Sequence, residues 1–384
     1  MKKKVAIIDP LGGHESSHHF YLFGQAHGLI KNEVKVSLYT NNETINPKIS
    51  GLKFYQFFRD IFLSRFQVIS GIRYIFGSIL SIFHARINGC KIFHFHIFYT
   101  NILVLFNIIL VKLLFAKVVL TIHDVNSFTN NDNYLFFQSI IYDLSDSILT
   151  HNNFSKEEIL KIRSYNHKER KISIIPHGNY IPFINIQKNK LSARKFLGIS
   201  SDKKVILFFG LIKEVKGLEI LLDALNIVKD KLPNILLLIV GKVWKNDFTY
   251  YQTIIDQHNL QNYCFLKTNY IPDAEVRYYF GSCDLVVLPY KKIFQSGVLM
   301  MAMSYNKPVL VSDLLPLKEI INNGKNGFTF ESENYLSLAD RLVDILNDEQ
   351  LLERVNINNQ ELIKNQFCWS KIGKQTKMAY KAIS

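Results

Sequence analysis

The stretch Phe208-Phe209-Gly210-Leu211-Ile212-Lys213-Glu214-Val215-Lys216-Gly217 decides the fold. It begins as the end of a near-continuous apolar run, 203–210, and turns at Gly210. Two lysines follow before a helical period sets in over 216–231, where Leu218, Leu221, Leu222, Leu225 and Val228 share one face. A strand with no polar alternation is buried on both sides, and a parallel sheet covered by helices buries strands in that way.

The same unit repeats in both directions. Strands are predicted over 4–9, 34–40, 91–96, 117–123, 147–151 and 171–176, then over 203–210, 235–241, 262–266, 284–289, 307–311 and 326–330. Helical patterns lie between most of them, so the fold class is α/β with two doubly wound, Rossmann-like parallel-sheet domains. A chain of 384 residues suits two cores better than one. The polar stretch from His177 to Lys190 marks the connection. The expected division is 1–180, 191–365, and a terminal helix at 366–384 that packs back on the first domain.

Composition narrows the partners. At 48% hydrophobic and 20% charged residues the chain is globular. Its 46 basic and 32 acidic residues leave +14, which favours anionic ligands or an anionic membrane face. No helix-turn-helix, RNA-binding or zinc signature accompanies the charge, so nucleic acid is not expected. Cys90, Cys264, Cys283 and Cys368 are scattered without metal-ligand spacing, which argues for a reducing compartment and against a disulfide framework or zinc site. The short run Val5-Ala6-Ile7-Ile8 ends at Asp9-Pro10 and reads as a strand, too short for a signal peptide.

Two regions are ambiguous in the sequence. Residues 97–122 are apolar enough to suggest a membrane span, but Asn101, Asn107, Lys112 and Lys117 interrupt them; a buried helix followed by a strand is the better parse. Residues 54–87 interleave Phe54, Tyr55, Phe57, Phe58, Phe62, Phe66, Tyr74, Phe76 and Phe83 with Arg59, Arg65, Arg73 and Arg86. Helices of that composition fit the interface of an anionic membrane and fit an ordinary buried aromatic stripe equally well.

Candidate site residues gather at strand ends, where open α/β sheets bind ligands. Lys213 and Lys216 follow the strand that ends at Gly210 and can each neutralise a phosphate as a point charge. Gly12, Gly13 and His14 follow the first strand, and glycines there let backbone amides approach an anion. The pattern is not GxGxxG and no acidic residue follows at the appropriate strand end, which counts against a nicotinamide dehydrogenase. His123 closes the strand 117–123, and His177 with Gly178 sits at the domain junction. Gln295, Ser296, Gly297 and Val298 precede an apolar helix whose first amides can cap an anion.

In this order, the segments resemble the GT-B glycosyltransferases of family 4, also called glycosyl transferases group 1. The resemblance rests on FFGLIKEVKG, CDLVVLPY, QSG before a helix, KPVLVSD and LPLKEIINNGKNGF, with the Gly-rich first turn, His123-Asp124 and Pro176-His177-Gly178 upstream. It covers nearly the whole chain, more convincingly in the second half. It implies two Rossmann-like domains facing a central cleft, and retaining transfer of a sugar from a nucleoside-diphosphate sugar with no cofactor and no obligatory metal. Lys213 and Lys216 would hold the diphosphate, the amides near Gly12-Gly13 and Ser296-Gly297-Val298 would complete the cradle, and His123 would contact the transferred sugar. Glu319 lies near this group but aligns with a different acidic position of the family.

One departure is plain. Relatives that carry two glutamates eight residues apart around the helix start find Phe294 and Ala302 there in this chain. Two functions are therefore carried forward. The first is an active transferase acting on a glycan or lipid-linked acceptor, in surface polysaccharide or glycolipid biosynthesis, cytoplasmic and peripheral to the inner membrane face. The second is an inactive GT-B-like subunit that steadies a partner transferase.

Overall fold

The computed structural model describes residues 3–15, 17–125, 132–162, 172–186 and 189–383. Lys171 of the expected strand 171–176, and Gln187 and Lys188 of the expected connection, lie outside the described residues. The chain divides into two compact units, residues 1–178 with 367–384, and residues 179–366.

The first unit holds a seven-stranded parallel sheet: β1 (Lys4–Ile8), β2 (Lys35–Asn41), β3 (Leu52–Phe58), β4 (Ile92–Ile97), β5 (Lys117–Ile122), β6 (Ser147–Thr150) and β7 (Ile172–Ile174). Its helices are α1 (His18–Lys31), α2 (Gln67–Ile87), α3 (Ile102–Leu113), α4 (Asp132–Leu144) and α5 (Asn153–Ile162). The strand order is β3-β2-β1-β4-β5-β6-β7, so the direction of winding reverses between β1 and β4. All of β4 is buried, as are β1 and β5 beyond their first lysines, which is why these runs carry no polar alternation.

The structure corrects two expectations in this unit. Residues 54–58 are strand, not helix: β3 pairs with β2 from Val36–Leu52 to Asn41–Phe58 across an irregularity between Tyr39 and Asn41. It is an edge strand with aromatics on both faces, so no period-2 signal survives in the sequence. Tyr55 stacks on Tyr39 at 5.0 Å and meets His84 of α2 edge-on at 4.6 Å. The second correction concerns α3, which is strongly apolar yet only half-buried; Ile102, Ile109 and Leu113 are exposed.

The second unit opens with α6 (Lys190–Leu197). Its six-stranded parallel sheet comprises β8 (Lys204–Phe209), β9 (Ile235–Val240), β10 (Cys264–Lys267), β11 (Leu285–Leu288), β12 (Val309–Ser312) and β13 (Phe328–Phe330). Helices α7 (Leu218–Lys231), α8 (Thr249–Gln257), α9 (Asp273–Ser282), α10 (Gly297–Ser304), α11 (Leu315–Lys318), α12 (Tyr335–Asn347) and α13 (Glu349–Asn365) alternate with the strands or follow them. The order β10-β9-β8-β11-β12-β13 repeats the winding of the first sheet and reverses between β8 and β11. The predicted face of α7 is realised, with Leu218, Leu221, Leu222, Leu225 and Val228 in a core shared with β8, β9 and α12.

The chain then returns to the first unit as α14 (Trp369–Ala382). Trp369 is the reason it seats so closely. A Cβ on Gly24 or on Gly178 would come within 2.0 Å and 2.4 Å of the indole, and one on Gly28 would lie 2.1 Å from the Trp369 carbonyl. Glycine on α1 therefore makes room for the tryptophan and for a near backbone-to-backbone crossing with Gly373.

Candidate active site

In doubly wound sheets, ligands bind beyond the carboxyl ends of the strands where the winding reverses. The second unit places the loop 210–217 and the segment 289–298 there, after β8 and β11. Gly210 has φ +109°, open to glycine, and a Cβ on it would stand 3.1 Å from Val298. Lys213 is extended, and a single 3₁₀ turn, Glu214–Lys216, separates it from Gly217. Gly217 has φ +64° and lies so close to the Pro289 carbonyl that a Cβ would sit 1.9 Å from it. The Lys291 amide donates to the Val215 carbonyl at 3.0 Å. These contacts fix the basic loop against the β11–α10 segment.

Lys216 lies with its ammonium 3.7 Å from the centroid of the buried Tyr290 ring. That cation–π contact holds the charge in place without neutralising it. Ser296 caps α10, its Oγ accepting from the Leu299 amide at 3.1 Å. Gly297 and Val298 are thus the first two residues of a helix, whose amides have no acceptor within it. The Gln295 Oε1 is buried without a hydrogen-bond partner among the described residues. Lysines, first-turn amides and a buried polar side chain thus belong to two segments in direct contact, a combination of groups suited to an anion with a polar appendage. Phe294 and Ala302 are buried and apolar, so neither position presents a carboxylate. Glu319 is exposed one residue past α11, after β12, the strand paired with β11.

The reversal point of the first unit has a different character. Asp9 is buried at the end of β1, its Oδ1 accepting from the Gly12 amide at 2.7 Å and its Oδ2 from His18 Nε2 at 2.8 Å. The Gly13 amide donates to Thr44 Oγ1 at 2.9 Å. Gly12 is obligatory here, because at φ +47° a Cβ would fall 2.0 Å from Thr44 Oγ1. The two amides expected to face phosphate are therefore already engaged, one by Asp9 within the turn and one by Thr44 just after β2. His14 leaves the turn for Glu43, at 2.6 Å, and stacks on Phe62 at 3.7 Å.

His123 is buried and both its ring nitrogens are engaged. Nε2 lies 3.0 Å from His96 Nδ1, and Nδ1 lies 3.2 Å from His151 Nε2. His96 Nε2 continues the chain to Gln25 Oε1 at 3.0 Å, and His151 Nδ1 donates to the Ile175 carbonyl at 3.0 Å. Phe98 stacks on His123 at 4.5 Å. A ring contact between His123 and a sugar would require one of these bonds to open. His177 is buried beside Tyr21, its Nδ1 2.7 Å from the Gly178 carbonyl.

Burial governs the charge of the group. It holds His94 and His177 down at about 3 and His151 at about 4, and it drives His96 and His123 well below the ordinary range. All five are neutral near pH 7. Sequence reading found His123 and His177 but passed over His18, Gln25, His96 and His151. The His94-Phe95-His96 alternation on a buried strand was the one available signal; the rest come from separate elements.

Comparison with known proteins gives the second unit a family. Residues 189–362 match the family described as Glycosyl transferases group 1. The second unit is a group 1 glycosyltransferase domain. An uncharacterized glycosyltransferase from Methanocaldococcus jannaschii is 29% identical over 240 residues, covering 62% of this chain and 60% of that protein. The capsular polysaccharide biosynthesis glycosyltransferase CapM of Staphylococcus aureus is 25% identical over 56% of each chain. The alignments thus span little more than half the length of these relatives. Among solved structures, HepE of Anabaena in complex with UDP-glucose superposes with a TM-score of 0.78 at 15% identity, covering 99% of both chains. The fold is GT-B.

Proposed function

We propose that this chain is a retaining glycosyltransferase that moves a sugar from a nucleoside-diphosphate sugar to a glycan or lipid-linked acceptor in surface polysaccharide or glycolipid assembly. The observation that carries the reading is the lysine-bearing 210–217 loop, locked against the start of α10 where the second sheet reverses. Lys213 and Lys216 stabilise the charge that develops on the departing diphosphate, and the Gly297 and Val298 amides add two donors. The Gln295 Oε1 accepts from a hydroxyl of the donor. The donor chemistry tried first is uridine diphosphate, since the HepE structure contains UDP-glucose.

The test is a thermal-shift screen of purified protein against UDP, GDP, ADP and their common sugar conjugates. A site filled at about 100 times its dissociation constant adds about 2.7 kcal/mol. A shift with one nucleotide class that disappears in Lys216→Ala supports the reading. No shift with any nucleotide favours the second reading, an inactive subunit of a partner transferase, for which the buried apolar Phe294 and Ala302 speak.

We also propose that the enzyme works at the cytoplasmic face of the membrane. Helix α2 is long and apolar enough by composition to cross a bilayer, yet Gly77, Ser78, Ser81, Ile82 and Ala85 are buried in the unit. Val68, Ile72, Phe76, Leu80, Phe83 and Ile87 are exposed, as is Arg65 just before the helix, while the half-buried Arg73 and Arg86 donate to the Asp60 and Leu114 carbonyls. A helix that packs on one side and is apolar on the other lies in a membrane interface, where the chain's net positive charge favours anionic headgroups. Flotation with anionic liposomes at low salt tests it; protein that stays at the bottom of the gradient defeats it.

A further inference from the structure

The first unit brings three imidazoles together from three elements. His18 begins α1, His96 lies in β4 and His123 follows β5; one ring nitrogen of each lies within 4.8 Å of the others. Among the described residues this is the one such group of possible metal ligands. We propose that His18, His96 and His123 bind a single borderline divalent cation of the zinc type, with water or another oxygen ligand in the fourth position.

Three observations carry it. The first is spacing. His96 Nδ1 and His123 Nε2 are 3.0 Å apart. Two nitrogens each about 2.0–2.1 Å from zinc stand about 3.4 Å apart in a tetrahedron, so a relaxation of a few tenths of an ångström completes the pair.

The second is the ring of outer partners. His96 turns its other nitrogen, Nε2, to Gln25 and His123 turns Nδ1 to His151, while Asp9 holds the His18 ring through Nε2. Metal-binding histidines are commonly oriented in this way, by a carboxylate, a carbonyl or another acceptor on the remote nitrogen. Phe98, stacked on His123 and edge-on to His18 at 4.8 Å, supplies an apolar wall.

The third is the proton count. With a cation on His96 Nδ1 and His123 Nε2, each ring keeps one N–H, and each N–H has an acceptor. His96 Nε2–H donates to Gln25 Oε1, His123 Nδ1–H to His151 Nε2, and His151 Nδ1–H to the Ile175 carbonyl. Without the cation a proton must bridge His96 and His123. The chain then closes only if His151 carries two protons in a buried site, or if Gln25 reverses its amide. A divalent ion therefore satisfies the arrangement with neutral ligands and no surplus proton.

The inference goes beyond sugar transfer and does not depend on it, since the readout is the metal. Tag-free protein is stripped with chelator, exchanged into ZnCl2 or CoCl2, passed through gel filtration and assayed for retained metal. The expected result is one equivalent of zinc, and for cobalt the intense visible bands of a low-coordinate nitrogen site. His18→Asn and His96→Gln should each weaken binding by about tenfold or more. Melting in chelator shows whether each variant folds; His18→Asn, at the more accessible ligand, keeps the test valid if His96→Gln does not. No stoichiometric zinc on wild type, or equal retention by wild type and folded His18→Asn, overturns the proposal.

Discussion

The two sheets of this chain wind in the same order, yet the ends of their central strands are built from different chemistry. Beyond β8 and β11 stand two lysines, the first-turn amides of a helix and a glycine-lined approach. Beyond β1, β4 and β5 stand buried histidines, an aspartate and a glutamine that bond to one another. Topology therefore supplies the place, and the loop residues decide whether that place faces outward to an anion or inward to its own polar groups.

The sharpest way to break the comparison is to remove what closes the first unit. Trp369 is buried against Gly24, Gly178 and Tyr21, all in that unit. Trp369→Ala leaves a void that three glycines cannot fill and should cost about 3–5 kcal/mol. In calorimetry the first unit should melt earlier while the second keeps its transition. Two transitions falling together would show that α14 stabilises the chain as a whole.

Lys216→Ala should cost about 2.7–4 kcal/mol of transition-state stabilisation, a fall of roughly a hundredfold to a thousandfold in transfer rate. Its melting temperature should barely move, because the ammonium packs on a ring that stays buried without it. Steady-state rates with the sugar nucleotide that shifts the wild-type melt provide the measurement. An unchanged rate removes Lys216 from the site.

How much of this was legible in the sequence follows the same divide. The twelve predicted strands (six in each series) all exist, most of them because buried parallel strands are written as short apolar runs; the half-exposed edge strands β7 and β10 are apolar runs too. β3 escaped because Lys53 and Gln56 interrupt aromatics that lie on both faces, leaving neither an apolar run nor a period-2 alternation. The lysine loop was legible because its chemistry is contiguous, with Gly210, Lys213, Lys216 and Gly217 within one turn of chain. The histidine group was not, since Asp9, His18, Gln25, His96, His123 and His151 are joined only by strand pairing and the placement of α1. Nor could the sequence say that the Gly12 and Gly13 amides are used by Asp9 and Thr44, because only the folded turn brings those side chains back.

A third experiment turns to surfaces. In the second unit the exposed apolar side chains are scattered, whereas in the first they gather on α2 and α3. Phe76 is 65% exposed on α2. Phe76→Glu should lower partition to anionic liposomes about tenfold or more, since seating one such side chain contributes about 1.5–3 kcal/mol. Leu315→Glu on the second unit should leave it unchanged. Equal losses in both would mean that charge, not an apolar face, drives attachment.

The smallest effect is the one with the clearest sign. His94, His151 and His177 hold folded pKa values of about 3, 4 and 3, below the ordinary 6.5, because burial disfavours the imidazolium. The unfolded chain therefore binds protons that the folded chain refuses once pH falls below about 6.5. Stability is fully present above that pH and is lost on acidification toward 3–4, each refused proton costing about 1.4 kcal/mol per pH unit. In the second unit, His258 is only partly buried and already faces Asp223 at 3.0 Å. Melts in chelator at pH 7 and pH 5 should thus show the first unit's transition falling further than the second's. If the two fall in parallel, the histidines of the first unit are already charged or hydrated in the folded state, and the inward-bonded half of the comparison fails.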